Sequence, residues 1–235
     1  MKTINLSKRL KTVASYLPKD VCFADIGTDH AYLPCYICLN DPKARAVAGE
    51  VNKGPFNSAL KTVYKHQLQH VIDVRLGDGL HVLTNNDEVS HVVIAGMGGA
   101  LMRQILDEGK SQLATVKRII AQPHTDESDV RYWFMNHHYS IVSETMVEEN
   151  GRIYEIIVAD YKKENLPNEQ LTEKELLFGP LLMKNKSKLF YKKWLREKRK
   201  LINILTQMKQ ANVEPKQVKR LSLKLRWIKE VLGDE

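Results

Sequence analysis

A chain of 235 residues, 43% hydrophobic and 27% charged, suits one α/β domain of moderate size with an appendage. It has no run of about 18 apolar residues to span a membrane, and its first ten residues lack the apolar core and cleavage site of a secretory signal, so a cytoplasmic protein with no membrane partner is expected. The net charge of +8 is concentrated in residues 162–235, which hold 19 Lys and Arg against 9 Asp and Glu, whereas residues 1–161 hold 17 against 19; a basic module beside a near-neutral one is the footprint of a polyanion-binding appendage.

Leu6, Leu10, Val13, Ala14 and Leu17 recur at helical spacing and predict an amphipathic helix over residues 5–17, ended near Pro18. Strand-like and helix-like runs then alternate: strand 21–26, helix 32–40, strand 45–51, helix 55–65, strand 71–76. Strand 91–95 and helix 101–108 follow, then strand 117–121 and a helix over 126–137 capped near Thr125 or Asp126. Cys35 and Cys38 have CxxC spacing, but three cysteines make no disulfide framework and no second pair completes a four-ligand zinc site. Both read as buried helix residues, and no metal is expected. After residue 138 the rhythm changes. Runs 139–147 and 152–161 are strand-like and flank Asn150-Gly151, a strong hairpin signal.

Five βα units closed by a hairpin imply a doubly wound sheet with an antiparallel ending, the pattern of class I (Rossmann-like) methyltransferases. This assigns residues 1–161 to a cofactor-binding domain. Residues 163–172 resemble a linker around Asn165-Leu166-Pro167-Asn168. The rest is helical, with stripes at Phe190, Trp194, Leu201, Leu205 and Met208, and at Val218, Leu221, Leu225, Ile228 and Leu232, around a turn at 212–215. Residues 162–235 are therefore expected to form a basic, coiled-coil-like helical domain. Its apolar seam serves either an internal hairpin or a dimer, so a monomer or weak homodimer is expected.

Ligands of open α/β sheets bind beyond the carboxyl ends of the strands, near the switch in strand order. Here those ends carry Asp25-Ile26-Gly27-Thr28-Asp29-His30, Glu50-Val51-Asn52, Asp78-Gly79 and Gly96-Met97. Each suits a part of S-adenosylmethionine. Gly27, between Asp25 and Thr28 with His30 close by, gives backbone access to the methionine portion. Glu50, with Val51 beside it, suits the ribose diol, and Asp78 the adenine amino group, with Gly79 clearing space. Gly96 and Met97 would border the cofactor and the incoming nucleophile. Any one of these carboxylates could be only a turn or cap residue; four strand ends in order suggest one ligand.

The stretch from Asp25 to Pro34 (DIGTDHAYLP), with Gly96-Met97-Gly98-Gly99 and Gln122-Pro123, resembles the bacterial tRNA (adenine-22 N1)-methyltransferases, the TrmK family. The resemblance covers roughly residues 6–161, and the family also has a C-terminal coiled-coil-like domain. At one place the chain departs from the pattern: His124 stands where Asn often follows Gln-Pro. The resemblance implies methyl transfer from S-adenosylmethionine, leaving S-adenosylhomocysteine, to N1 of an adenine in tRNA. Asp29 is the candidate for stabilising the purine as it becomes cationic; capping the next helix, or holding the cofactor's amino group, is its alternative role. The target base must be exposed or flipped, with compensation from phosphate contacts along the tail. The candidates there are Lys184, Lys186, Lys188, Lys192, Lys193, Arg196, Lys198, Arg199 and Lys200, and in the first helix Arg9 could face the substrate. Rival readings are a methyltransferase for another RNA base or a small molecule, and a non-catalytic RNA-binding protein. A nicotinamide-dependent dehydrogenase fits less well, because the first turn lacks G-x-G-x-x-G.

Overall fold

The first strand, β1 (Cys22–Ile26), buries side chains on both faces because it lies inside a seven-stranded sheet. Phe23 joins Leu33, Ala46 and Val63 in one core, while Ala24 and Ile26 join Leu106, Trp133 and Phe134 in the other. The chain is a computed structural model that describes residues 4–84, 86–162, 170–210 and 214–234. It divides into two compact units, Met1–Thr172 and Glu173–Glu235.

In the first unit, helices α1 (Lys8–Ala14), α2 (Tyr32–Asn40) and α3 (Lys53–Lys65) contribute to one core, and α4 (Gly99–Glu108) and α5 (Glu127–Asn136) to the other. Between them run β2 (Arg45–Glu50), β3 (Ile72–Leu76), β4 (His91–Met97) and β5 (Arg118–Pro123), followed by β6 (Tyr139–Glu149) and β7 (Arg152–Tyr161). The sheet order is β3-β2-β1-β4-β5-β7-β6. The paired strands from β3 to β5 are parallel, and β7 is antiparallel to both its neighbours. The chain thus builds outward from β1 to β3, then returns to place β4 on the other side of β1. That reversal separates the connections leaving β1 and β4, and the carboxyl ends at such a switch are where open α/β sheets bind ligands.

Sequence and structure differ in instructive places. The first helix is shorter than its apolar spacing predicts, because the Ser7 hydroxyl accepts from the N–H of Leu10 and sets the start, while Leu6 stays buried outside the helix. Helix α4 starts two residues earlier, at Gly99. A Cβ there would lie 2.0 Å from the Asp126 carbonyl oxygen, so only glycine allows this approach. Asp126 is the N-cap of α5 but makes no side-chain cap bond; its carboxylate accepts from the Thr125 hydroxyl instead. Within the hairpin, the later strand takes the interior position because Ile156, Ile157, Val158 and Ala159 bury fully. The more polar β6 takes the edge.

The second unit contains α6 (Glu173–Phe178), α7 (Pro180–Lys184), α8 (Lys188–Gln210) and α9 (Pro215–Leu232). The two short leading helices were not separately legible in the sequence. Phe178 packs edge-on against Trp194 at 4.5 Å between centroids, joining α6 to α8. Lys186 donates to the Val231 carbonyl and Lys198 pairs with Asp234 at 2.7 Å, so the start of α8 lies beside the end of α9 and the pair is antiparallel. Phe190, Trp194, Leu201, Leu205 and Ile228 bury as the stripes predict; Met208, Val218, Leu221, Leu225 and Leu232 are only half-buried. Val231 adds a buried contact outside the predicted stripe. The expected linker residues Asn165 to Asn168, and Asn212 and Val213 of the expected turn, lie outside the described residues.

One buried charge cluster ties the hairpin to α5. Arg131 is sealed from solvent and bonds both Glu144, at 2.7 Å, and Glu155, whose side chains are equally sealed. Removing the cation leaves two buried carboxylates without it, which is far costlier than replacing the whole cluster with apolar groups. Arg131→Met is expected to destabilise the first unit by about 3–5 kcal/mol, read by urea unfolding. A loss below about 1 kcal/mol, the range of exposed ion pairs, would show that the cluster does not hold the hairpin in place.

Candidate active site

The turn leaving β1 is drawn tightly against β2. The N–H groups of Gly27 and Thr28 both donate to the Gly49 carbonyl, at 2.9 and 3.1 Å. Gly27 has φ of +75°, and a Cβ there would come within 2.8 Å of the Met97 methyl. The turn therefore needs glycine for its conformation, and a Cβ there would also push the flexible end of Met97 aside. Asp25 is buried and accepts a 2.6 Å bond from the Thr28 hydroxyl, so that hydroxyl is committed within the protein. Glu50, also buried, closes β2. One of its oxygens accepts from the N–H of Asn52 at 2.9 Å and the other from the N–H of Asp29 at 3.3 Å.

Asp25, Gly27, Thr28, Asp29, Glu50 and Met97 thus form one contiguous group. Asp78 and Gly79 join it through the backbone, where the N–H of Gly77 donates to the Glu50 carbonyl at 2.9 Å. Asp78 is exposed; a Cβ on Gly79 would sit 3.0 Å from Ile105. Gly96 and Val51 are exposed at the rim, with open space within 4 Å of a Cβ built at Gly96. His30 stacks on Tyr32 at 5.2 Å and lies 3.6 Å from the Asp29 carboxylate. The side chain of Asp29 is 68% exposed. Asp29 does not cap the next helix, whose N-cap is Ala31 with no side-chain cap bond. An open turn with its carboxylate facing solvent leaves Asp29 available to a ligand.

A second cluster borders this group, and the sequence left it largely unread. At the end of β5, Gln122 is fully buried and accepts from the Arg9 guanidinium, while its own amide donates to the Pro123 carbonyl at 2.7 Å. The backbone N–H of Arg9 donates to Glu149 at 3.2 Å, and its guanidinium stands 5.4 Å from the Tyr154 ring centroid. Tyr154 in turn lies 5.4 Å from His124, whose N–H donates to the Met97 carbonyl at 2.8 Å. Arg9 was legible only as a single helix-face cation. Glu149 and Tyr154 carried no signal, because their meaning depends on Arg9, more than a hundred residues away along the chain.

Several cations proposed for a polyanion have partners within their own unit. Lys198 pairs with Asp234, Lys200 with Glu197, Lys186 bonds a carbonyl, and Lys193 lies 5.4 Å from the Trp194 ring centroid. Lys184, Lys188 and Arg199 are exposed. Cys35 and Cys38 are free and buried in α2, and burial pushes both thiols up to about 12, far from the reactive range. Among the described residues no group of three or more His, Cys, Asp or Glu is placed to hold a metal ion.

The electrostatics of the first turn are unusual. Burial, reinforced by the Glu50 carboxylate and opposed by the Thr28 hydroxyl, pushes the Asp25 carboxyl up to about 6. Between the ordinary carboxyl value and about 6, the folded chain holds a proton that the unfolded chain releases. Stability therefore falls as pH rises through that window, and the loss is complete above it. The chain tolerates this loss at neutral pH, where a cationic ligand would offset it. Asp25→Asn, which can still accept from Thr28, is expected to raise the thermal midpoint at pH 7 by a few degrees and less so at pH 5. Equal shifts at both values would remove Asp25 as the source.

Comparison with known proteins gives the family. The family model for tRNA (adenine(22)-N(1))-methyltransferase, TrmK, matches residues 23–230. The tRNA (adenine(22)-N(1))-methyltransferase of Bacillus subtilis is 40% identical over 99% of each chain. Among solved structures, Streptococcus pneumoniae Sp1610 in complex with S-adenosyl-L-methionine is 40% identical with a TM-score of 0.87, covering 97% of this chain and 100% of that one. TrmK of M. capricolum in complex with S-adenosyl-homocysteine is 30% identical with a TM-score of 0.84, covering 97% and 98%. With two relatives solved on the methyl donor and its product, and a full-length match to a third, the chain belongs to the TrmK family of tRNA (adenine(22)-N(1))-methyltransferases.

Proposed function

We propose that this protein transfers the methyl group of S-adenosylmethionine to N1 of adenine 22 in tRNA, and that the group around Asp25, Gly27, Glu50 and Met97 is where it does so. The observation that carries the reading is the convergence of four strand ends at the switch between β1 and β4. Their chemistry fits the donor. Two buried carboxylates, Asp25 and Glu50, complement its positive charge, and the Gly27 turn leaves no side chain between backbone and ligand. Glu50 retains lone pairs for ribose hydroxyls beside those engaged by Asp29 and Asn52.

S-adenosylmethionine supplies a methyl group already activated on a sulfonium sulfur. The purine N1 lone pair forms the new N–C bond as the C–S bond breaks, and that bond's electrons remain on sulfur. No base is needed first, because N1 of neutral adenine is unprotonated. The protein's contribution is to hold N1 in line with the methyl group and to keep water out. Positive charge develops on the purine, and the exposure of the Asp29 carboxylate supports it as the group that stabilises this charge. A tRNA substrate makes the cytoplasm the site of action.

The exposed cations of the second unit account for the charge split as phosphate contacts. Lys184, Lys188 and Arg199 are the strongest candidates, since several neighbours are engaged within the unit. Removing all three by alanine substitution is expected to reduce the steepness of tRNA affinity against salt by roughly one unit of slope per lost contact, with S-adenosylmethionine affinity unchanged. An unaltered slope would assign these residues to a solvated surface.

The decisive assay incubates the full chain with labelled S-adenosylmethionine and unmodified tRNA, followed by nucleoside analysis. The expected product is N1-methyladenosine at position 22. Label on another base, or another atom of adenine, would refute the assignment.

A further inference from the structure

The cluster at the end of β5 makes a continuous path from the methyl-donor turn outward. Met97 touches the Gly27 position, its carbonyl accepts from His124, and the His124 ring lies beside Tyr154. His124 is exposed and Tyr154 half-buried, so both offer ring surface at the mouth, while Gln122 beneath them is sealed. The two rings are tilted at 47° and neither is buried by its neighbour.

A purine methylated at N1 must present its edge to the methyl group, which leaves its face to be held. Aromatic rings hold base faces without reading their hydrogen-bonding edge, and that edge is the one N1 occupies. We propose that Tyr154, together with His124, is the shelf that takes the face of the target adenine, and that Arg9 is a positioning residue that holds Tyr154 and Gln122 in place. The proposal rests on the methyl-transfer reading above.

Charge supports the assignment. A free guanidinium so close would oppose the cation forming on the purine. Here Arg9 is paired with Glu149, at 3.8 Å between Nε and the carboxylate, and is engaged by Gln122. Partial burial, with the Arg9 and Arg152 cations, lowers the His124 imidazole from its ordinary value and so favours the neutral ring. A neutral ring suits contact with a base that turns cationic. Arg9 also lies over the Tyr154 ring, the geometry of a cation–π contact that fixes the ring's inner side.

The test uses the full chain, unmodified tRNA and separate measurement of S-adenosylmethionine affinity by calorimetry. Tyr154→Leu is expected to lower kcat/KM for tRNA by about tenfold or more, the scale of one lost base–aromatic stack. Donor affinity should stay within about twofold, since Tyr154 lies outside the Gly27 turn, and Tyr154→Phe should recover most of the rate. Arg9→Met should lower kcat/KM without weakening donor binding, and should add little to Tyr154→Leu if both act through one ring. The shelf is overturned if Tyr154→Leu matches the wild type, if phenylalanine is no better than leucine, or if donor affinity falls in step with the rate. Fully additive losses would overturn the role of Arg9. If the wild-type chain itself makes no N1-methyladenosine, the methyl-transfer reading has failed; if it does and Tyr154→Leu equals it, only the shelf has.

Discussion

Two backbone N–H groups, those of Gly27 and Thr28, converge on the carbonyl of Gly49, and the geometry of the whole site descends from that contact. It draws the β1 turn over the end of β2, which places the N–H of Asp29 on the carboxylate of Glu50. The same fold of the backbone presses Gly27 against Met97 at the end of β4. Three strand ends are thereby held in register. The arrangement requires a residue that tolerates positive φ and has no Cβ, so a single methyl group at position 27 would displace Met97 or open the turn.

Around this contact the backbone is under strain. Asp29, Ala31 and Asp126, in the turns that follow β1 and β5, occupy the left-handed region although none is glycine, as do Asp20, Gln67, Glu88, His138 and Asn150 elsewhere. Such residues persist only where surrounding structure over-determines them. Electrostatics adds to the burden. Asp25 and Glu50 are buried near one another, and the resulting rise in the Asp25 pKa is a stability deficit at neutral pH. A region with both features costs folding free energy, which the packing of the sheet around it offsets.

The second unit solves a different problem. Its helices bury aromatic and branched side chains in one seam, with Phe178, Phe190 and Trp194 at its centre. The basic surface is partly self-neutralised by pairs such as Lys198 with Asp234 and Lys200 with Glu197. The net charge of a segment is therefore a poor count of the cations it offers a partner. Which lysines face outward depends on how α8 and α9 meet.

Local order was legible from the residues alone. Alternating runs of period two and period 3.6 predicted the strands and helices of the sheet, several to within a residue, because these periodicities follow from backbone geometry within a few neighbours. Helix α2 was read with both ends correct, and the acidic and glycine residues singled out in the sequence do stand at the strand ends. What lay beyond reach was the company those residues keep. The Arg9 contacts with Gln122 and Glu149 bridge 113 and 140 positions, and no local pattern encodes a meeting at that distance. The burial of Gln122, the placing of β7 inside β6, and the committed state of Thr28 likewise emerge only when the strands take their order. Short-range sterics write the elements into the sequence; the chemistry of the site arises from which elements the closed sheet makes neighbours.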